Sequence, residues 1–335
     1  MHVLITGAAG MIGRKLTERL VKDGTLNGQP ITRLTLADIV APVRPTGTSA
    51  QVDAWAMDIS MPGEAAKLIA DAPEVIFHLA AVVSAEAELD LVKGYRINLD
   101  GTRFLFEAIR GLGHMSAAGF HKTYRPRVVF TSSIAVFGAP FPDAIPDDFH
   151  LTPLTSYGTQ KAMCELMLAD LTRRGLLDGV GIRLPSIVVR PGKPNKAASG
   201  FFSGIIREPL AGQEAVLPVD ESVLHWHASP RSAVGFLVHA AGLKADELGP
   251  RINLTMPGVC CTVGEQIEAL RRVAGDKAAA RIRRAPDELI KRIVAGWPSR
   301  FEPRRARELG FKVEATFDDI IRAHIDDDLG GKIAA

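Results

Sequence analysis

Ser133, Tyr157, Lys161 and Asn98 are the residues of this chain whose types and spacing suit chemistry. Tyr157 and Lys161 are four positions apart, so on a helix they share one face. A free phenol has a pKa of about 10, too high for an efficient base at neutral pH, and a neighbouring ammonium favours the phenolate. Ser133 ends the apolar run Val128–Ser133, where a hydroxyl could hold an alcohol or carbonyl oxygen. The three together suit oxidation of an alcohol, with the tyrosine taking the hydroxyl proton as hydride leaves the same carbon, or acting as the acid in reverse. Asn98 falls in the middle of the helical pattern 89–109, where asparagine is a poor choice. A role for its side chain is to hold a water that links Lys161 to solvent; plain surface exposure is the alternative. A Tyr-x-x-x-Lys pair also arises on helices by chance, and its weight here comes from the serine and from the start of the chain.

Hydride needs an acceptor, and the first strand, turn and helix, Val3 to Gly13 and onward to Leu20, can hold one. Gly7 permits a tight turn, Gly10 lets a pyrophosphate approach without meeting a Cβ, and Gly13 lets the helix lie close on the sheet. The free N–H groups of the helix start, at Met11, Ile12 and Gly13, then face phosphate. Asp38 closes a second apolar strand, 31–37, and lies 25 residues after Gly13, compared with the usual interval of about 20. A carboxylate there accepts both ribose hydroxyls of adenosine and repels a 2′-phosphate, which favours NAD over NADP. The strand Val75–Ala80 ends in the small residues Ala80 and Ala81, so a dinucleotide can lie against Leu79, Ala80 and Ala81.

Composition narrows the function class. The 335 residues carry a formal charge of +2, too small to argue for a nucleic-acid partner. Hydrophobic residues make up 47% and charged residues 23%, a balance expected of a folded globular chain. No stretch approaches about 18 continuous apolar residues, so no membrane span is expected. The chain opens directly on a strand, without the basic and apolar stretches of a leader. Cys164, Cys260 and Cys261 show no repeated C-x-x-C, so neither a disulfide framework nor a cysteine zinc site is expected, and a reducing cytoplasm is the natural compartment.

Strand and helix patterns alternate through the first 185 residues, which predicts a parallel sheet covered on both faces. The texture changes after Pro185. The expected fold is therefore α/β: a Rossmann-type doubly wound parallel sheet over 1–185, and a smaller C-terminal substrate-binding lobe over 186–330. Helix 231–241 is expected to rejoin the first part.

Gly7-x-x-Gly10-x-x-Gly13, Asp58, His78-Leu-Ala-Ala81, Asn98, Thr131-Ser-Ser133-x-x-Val-Phe-Gly138 and Tyr157-x-x-x-Lys161 together resemble the extended short-chain dehydrogenase/reductase family over nearly the whole chain. The resemblance implies that serine, tyrosine and lysine catalyse, and that Asp58 and Ile59 meet the adenine. It also selects Ser133 over Ser132, by its spacing from Val-Phe-Gly. Phe137 departs from the tyrosine usual in that motif, at a position that does not supply the base.

The family includes sugar-nucleotide epimerases, dehydratases and simple dehydrogenases. Residues 184–200 lack the Asn-Val-Tyr-Gly-Pro segment common in the sugar-nucleotide enzymes, and resemble a bacterial group that oxidises C2 of D-erythronate to 2-dehydro-D-erythronate with NAD. Uronate dehydrogenases resemble the chain more distantly, and a non-catalytic NAD-binding protein is the reading from another class. A small acid needs donors for its carboxylate, for which Arg190, Lys193, Asn195 and Lys196 are candidates; solvent-facing loop residues are the plain alternative. Ser186 replaces the asparagine of the sugar-nucleotide pattern and could bond the acid. Ser84, by comparison with uronate dehydrogenases, could bind a substrate hydroxyl, or it caps a helix. His225 and His227 alternate on one side of a strand, yet no partner has zinc spacing, so no metal is expected; core packing or the substrate entrance accounts for them. Relatives in the family often pair through two long helices, here those around 90–110 and 157–174, which implies a homodimer.

Overall fold

The computed structural model describes residues 1–117, 124–192 and 198–334. The chain opens with strand β1 (His2–Thr6), helix α1 (Met11–Asp23), β2 (Arg33–Asp38), β3 (Gln51–Ala56), α2 (Glu64–Ile69) and β4 (Val75–His78). Next come α3 (Ser84–Leu89), α4 (Gly101–Ala117), β5 (Arg127–Ser133), α5 (Ser156–Arg173) and β6 (Asp178–Leu184). Then follow β7 (Ser186–Ile187), α6 (Gly200–Leu210), β8 (Leu224–Ala228), α7 (Pro230–Gly242), β9 (Asn253–Thr255), β10 (Val259–Thr262), α8 (Val263–Ala274) and, close to the end, α9 (Phe317–Leu329).

Seven strands form the central sheet in the order β9-β6-β5-β4-β1-β2-β3, a parallel sheet as expected. Every residue of β1 is buried, the pattern of a strand covered on both faces. The order reverses between β1 and β4, so the turns after these two strands diverge there and leave a crevice at their carboxyl ends.

Two compact units divide the chain. One comprises Met1–Val136, Thr155–Arg183 and Val234–Thr255; the other comprises Phe137–Leu154, Leu184–Ala233 and Met256–Ala335. The chain thus crosses between them several times. Residues 234–255 join the first because β9 extends its sheet beside β6, and because the Ala240 and Ala241 carbonyls accept from Arg127 and Asn27 at 2.9 Å each. The second unit has its own three-stranded sheet, β7-β8-β10, and a core that includes Phe202, Ile206, Val263, Ile267 and Ile320.

One prediction from periodicity changes form. The stretch 89–109 is not one regular helix: Ser84–Leu89 and Leu91–Gly94 are α-helical, Tyr95–Asp100 is a π-helical turn, and α4 begins at Gly101. The wider turn carries Asn98, which is 1% exposed rather than at the surface. Its side chain explains the break, because it bonds outside its own helix, to Val82 and Gln160.

Gly13 is fixed by close approach. A Cβ there would run into the Gly7 carbonyl oxygen and stand 2.7 Å from Ala8 Cα, both backbone atoms that cannot swing away. Gly13→Ala should therefore lower stability by about 1–3 kcal/mol. Urea unfolding reads this as a lower midpoint, and an unchanged midpoint would mean that the turn and α1 can separate without cost.

Candidate active site

The first unit gathers Ser133, Tyr157, Lys161 and Asn98. Ser133 is the last residue of β5, and Tyr157 sits in the first turn of α5, whose N-cap Thr155 accepts from the Gly158 N–H at 3.1 Å. Tyr157 is half-buried, whereas Lys161, one turn further on, is 3% exposed. The Lys161 ammonium donates to the Thr131 carbonyl at 2.9 Å, lies 4.8 Å from the Phe130 ring centre and 5.8 Å from that of Tyr157. Burial pulls its pKa down to about 8, opposed in part by Glu165 on the same helix.

The two serines separate clearly. Ser132 is buried and its hydroxyl donates to Glu165 at 2.5 Å, so it is spent on the interior. Ser133 is half-buried, and its hydroxyl oxygen accepts from the Ala135 N–H at 3.1 Å, which leaves the hydroxyl proton for another acceptor.

Asn98 has a different occupation from the one expected of it. Its Oδ1 accepts from the Val82 N–H at 2.8 Å, and its Nδ2 donates to the Val82 carbonyl at 3.2 Å and to Gln160 Oε1 at 2.8 Å. The side chain ties the turn after β4 to α5, and its own carbonyl accepts from Thr102 and Cys164. Below it His78 bridges Thr6 and Thr102 at 2.7 and 2.9 Å, with burial and then Lys161 lowering its pKa to about 3, so it is neutral.

The glycine turn has the form a dinucleotide needs. The Gly7 and Ala8 N–H groups donate to the Ala37 carbonyl, and the Ala9 N–H donates to Asp38 at 2.9 Å. Asp38 is half-buried, and among the described residues its other oxygen takes no hydrogen bond. Gly10 caps α1 with no side chain, so Met11, Ile12 and Gly13 open the helix with their N–H groups uncapped. A Cβ on Gly10 would stand 3.3 Å from the Gly7 backbone oxygen, a tight approach, and the residue is exposed. A Cβ on Gly7 would stand 2.7 Å from Ala80 N, which brings Leu79, Ala80 and Ala81 beside the turn. These residues fit a pyrophosphate and its adenosine. Asp58 ends its own loop by accepting from Ser60 and, at 2.8 Å, from Arg96; these bonds outweigh burial and hold its pKa below the usual value, and Ile59 beside it is buried.

The remaining candidates are more scattered. Ser84 is half-buried and is the first residue of α3, following Val83 at the cap position, so it is not the cap. In the second unit, Ser186 Oγ lies 2.6 Å from His225 Nε2. His225 and His227 flank the Phe202 ring in the core, where burial lowers His225 to about 3 and His227 well below its usual value. Arg190 binds back on its own segment, with Nε on the Ile187 carbonyl at 3.0 Å and Nη2 on Ser199 at 3.2 Å. Lys193, Asn195 and Lys196 lie outside the described residues. Sequence reasoning passed over Glu165, Gln160 and Arg183. The available signal was a carboxylate and an amide on the inward face of α5, among Ala162, Cys164 and Leu168.

Residues 3–228 match the NAD dependent epimerase/dehydratase family. The chain belongs to this family, and its cofactor is NAD. It is 47% identical over 332 residues to a D-erythronate dehydrogenase of Cupriavidus necator, covering 98% of both chains. It is 39% identical over 329 residues to a D-erythronate dehydrogenase of Haemophilus influenzae, covering 98% of this chain and all of that one. Among solved structures it is similar to a nucleoside-diphosphate-sugar epimerase from Agrobacterium tumefaciens, with 65% identity, a TM-score of 0.96, and 100% and 96% of the two chains covered. Among the described residues no helix is long and apolar enough to cross a membrane.

The buried lysine has a consequence for stability. Its pKa is about 8 when folded, against 10.5 in an exposed lysine, so between these values the unfolded chain binds the extra proton and folding is favoured by rising pH. Below pH 8 both states are protonated and the full cost of burying the charge remains. Relative to Lys161→Met, the cofactor-free protein should gain up to about 3 kcal/mol of stability between pH 7 and 10.5. Paired urea titrations would show it; a constant gap between the two proteins would mean that Lys161 is not a buried cation.

Proposed function

We propose that the protein oxidises C2 of D-erythronate to 2-dehydro-D-erythronate with NAD. The observation that carries this reading is the near-full-length similarity to two D-erythronate dehydrogenases. NAD, when bound, supplies the hydride acceptor. The glycine turn and the N–H groups of Met11, Ile12 and Gly13 would hold its pyrophosphate, Asp38 its adenosine ribose, Asp58 and Ile59 its adenine, and Leu79, Ala80 and Ala81 the dinucleotide along the end of β4. Ser133 donates its hydroxyl proton to the substrate oxygen and orients it. Tyr157 takes the alcohol proton, and the Lys161 ammonium favours the phenolate that receives it. Asn98 acts through position, joining the turn after β4 to the helix that carries both residues.

The substrate carboxylate is assigned to Arg190, Lys193, Asn195 and Lys196, with Ser186 as a further partner of the acid and Ser84 as the partner of a substrate hydroxyl. This set is supported by charge and by the character of residues 184–200. Pairing of two copies through the helices of the first unit is supported by Leu89, Val92 and Leu166, which are 85, 77 and 65% exposed. A cytoplasmic location fits three cysteines that form no disulfide framework.

A nucleotide-sugar epimerase is the second reading, favoured by the description of the Agrobacterium tumefaciens structure. The two are separated by following NADH with D-erythronate, L-threonate, glucuronate and UDP-glucose. Strong NADH formation confined to D-erythronate is expected. Activity on another acid would move the substrate while keeping the mechanism, and silence on every acid with conversion of UDP-glucose would favour the epimerase. In Tyr157→Phe, kcat should fall by about 100-fold or more while NAD still binds; wild-type turnover in this variant would remove Tyr157 from the mechanism.

A further inference from the structure

Glu165 follows Lys161 by one helical turn and Tyr157 by two, so all three share a face of α5. The end of β5 answers that face residue by residue. The Thr131 carbonyl accepts from Lys161, the Ser132 hydroxyl donates to Glu165 Oε1, and Ser133 comes next in the strand. Glu165 is fully buried. Arg183 on β6 grips its carboxylate with Nε at 3.0 and 3.1 Å and Nη2 at 2.8 Å, and reaches Thr255 with Nη1 at 3.4 Å. Asn253 on β9 donates to the Glu165 carbonyl at 3.2 Å. A buried ion pair is often no more stable than apolar side chains of the same size, so its presence under a reactive face asks for another reason.

We propose that Glu165 is a positioning residue for the oxidation. Its carboxylate, held by Arg183, ties Ser132 and therefore the strand end at Ser133 to the helix of Tyr157, and it places beside Lys161 the charge that keeps the ammonium protonated. The inference rests on the assignment of Ser133, Tyr157 and Lys161 to alcohol oxidation.

The surroundings of Lys161 leave this role to Glu165. On α5 its ionisable neighbours are Tyr157, Cys164 and Glu165; β4 presents His78, β5 presents the Phe130 ring and the Thr131 carbonyl, and β6 presents Arg183 behind Glu165. His78 is neutral. Burial pushes the Cys164 thiol up to about 11, so it too is uncharged where Lys161 titrates. Glu165 is then the negative group next to the lysine, with Arg183 partly neutralising it.

The test uses the full-length protein with ¹³Cε-labelled lysine, read by NMR titration of Lys161 and by the pH dependence of kcat/KM with whichever sugar acid the wild type oxidises. Glu165→Gln keeps an acceptor for Ser132 but removes the charge. It should lower the Lys161 titration point by about one pH unit and move the alkaline limb of kcat/KM by the same amount. Ser132→Ala keeps the charge but cuts the tie, so kcat should fall about tenfold while NAD affinity and the lysine titration stay unchanged. A folded Glu165→Gln with an unmoved Lys161 titration, or Ser132→Ala with wild-type kcat, would overturn the proposal. If Glu165→Gln does not fold, Ser132→Ala decides. If the wild type oxidises no acid, the functional reading fails, and the lysine titration then decides alone.

Discussion

An ammonium withdrawn from water at the junction of β5 and α5 is the constraint on which the rest of this site depends. Lys161 can remain charged there only because the Thr131 carbonyl receives it, the Phe130 ring lies 4.8 Å from it, and Glu165 stands one turn away. Each of these groups is useful only in one register of helix against strand. The register is fixed by bonds that touch no reacting atom, from Ser132 to Glu165 and from Arg183 to the same carboxylate. The Tyr157 phenol and the Ser133 hydroxyl thus stand on a helix and a strand end whose placement follows from the cost of burying a charge.

The cofactor turn rests on a different constraint, steric rather than electrostatic. Gly13 is glycine because α1 touches the turn, whereas Gly10 is exposed and a Cβ there meets the Gly7 oxygen less closely. The turn is also anchored to both neighbouring strands: the Gly7 N–H reaches the Ala37 carbonyl of β2, and the Leu79 N–H following β4 reaches the Thr6 carbonyl. A parallel sheet makes these contacts possible, since it brings the carboxyl ends of β1, β2 and β4 to one edge.

The second unit carries polar groups in an otherwise apolar core. Ser186 meets a neutral His225, and His225 and His227 pack on Phe202. Arg190 braces the segment from which it projects, with its own carbonyl accepting from Arg207 at 2.7 Å.

The sequence by itself determined the sheet and the cofactor. Alternating apolar strands and helices leave little choice of architecture, three glycines at fixed spacing encode a backbone demand, and Tyr157 and Lys161 meet through helix periodicity alone. The family resemblance pointed to Ser133 rather than Ser132, and tertiary structure adds a physical difference between the two, because nothing local says that a residue 33 positions later will occupy the Ser132 hydroxyl. Tertiary structure likewise decided Asn98. Periodicity placed it on a helix that seemed continuous, and only the nearness of Val82 and Gln160 shows why the helix widens there and the amide is buried. Residues 234–255 joined the first unit for a reason of the same kind, since the added sheet edge depends on β6, and the two carbonyls bonded by Arg127 and Asn27 depend on partners more than 100 positions away. Local pattern reveals what a residue can do, and packing decides which of its possible partners it meets.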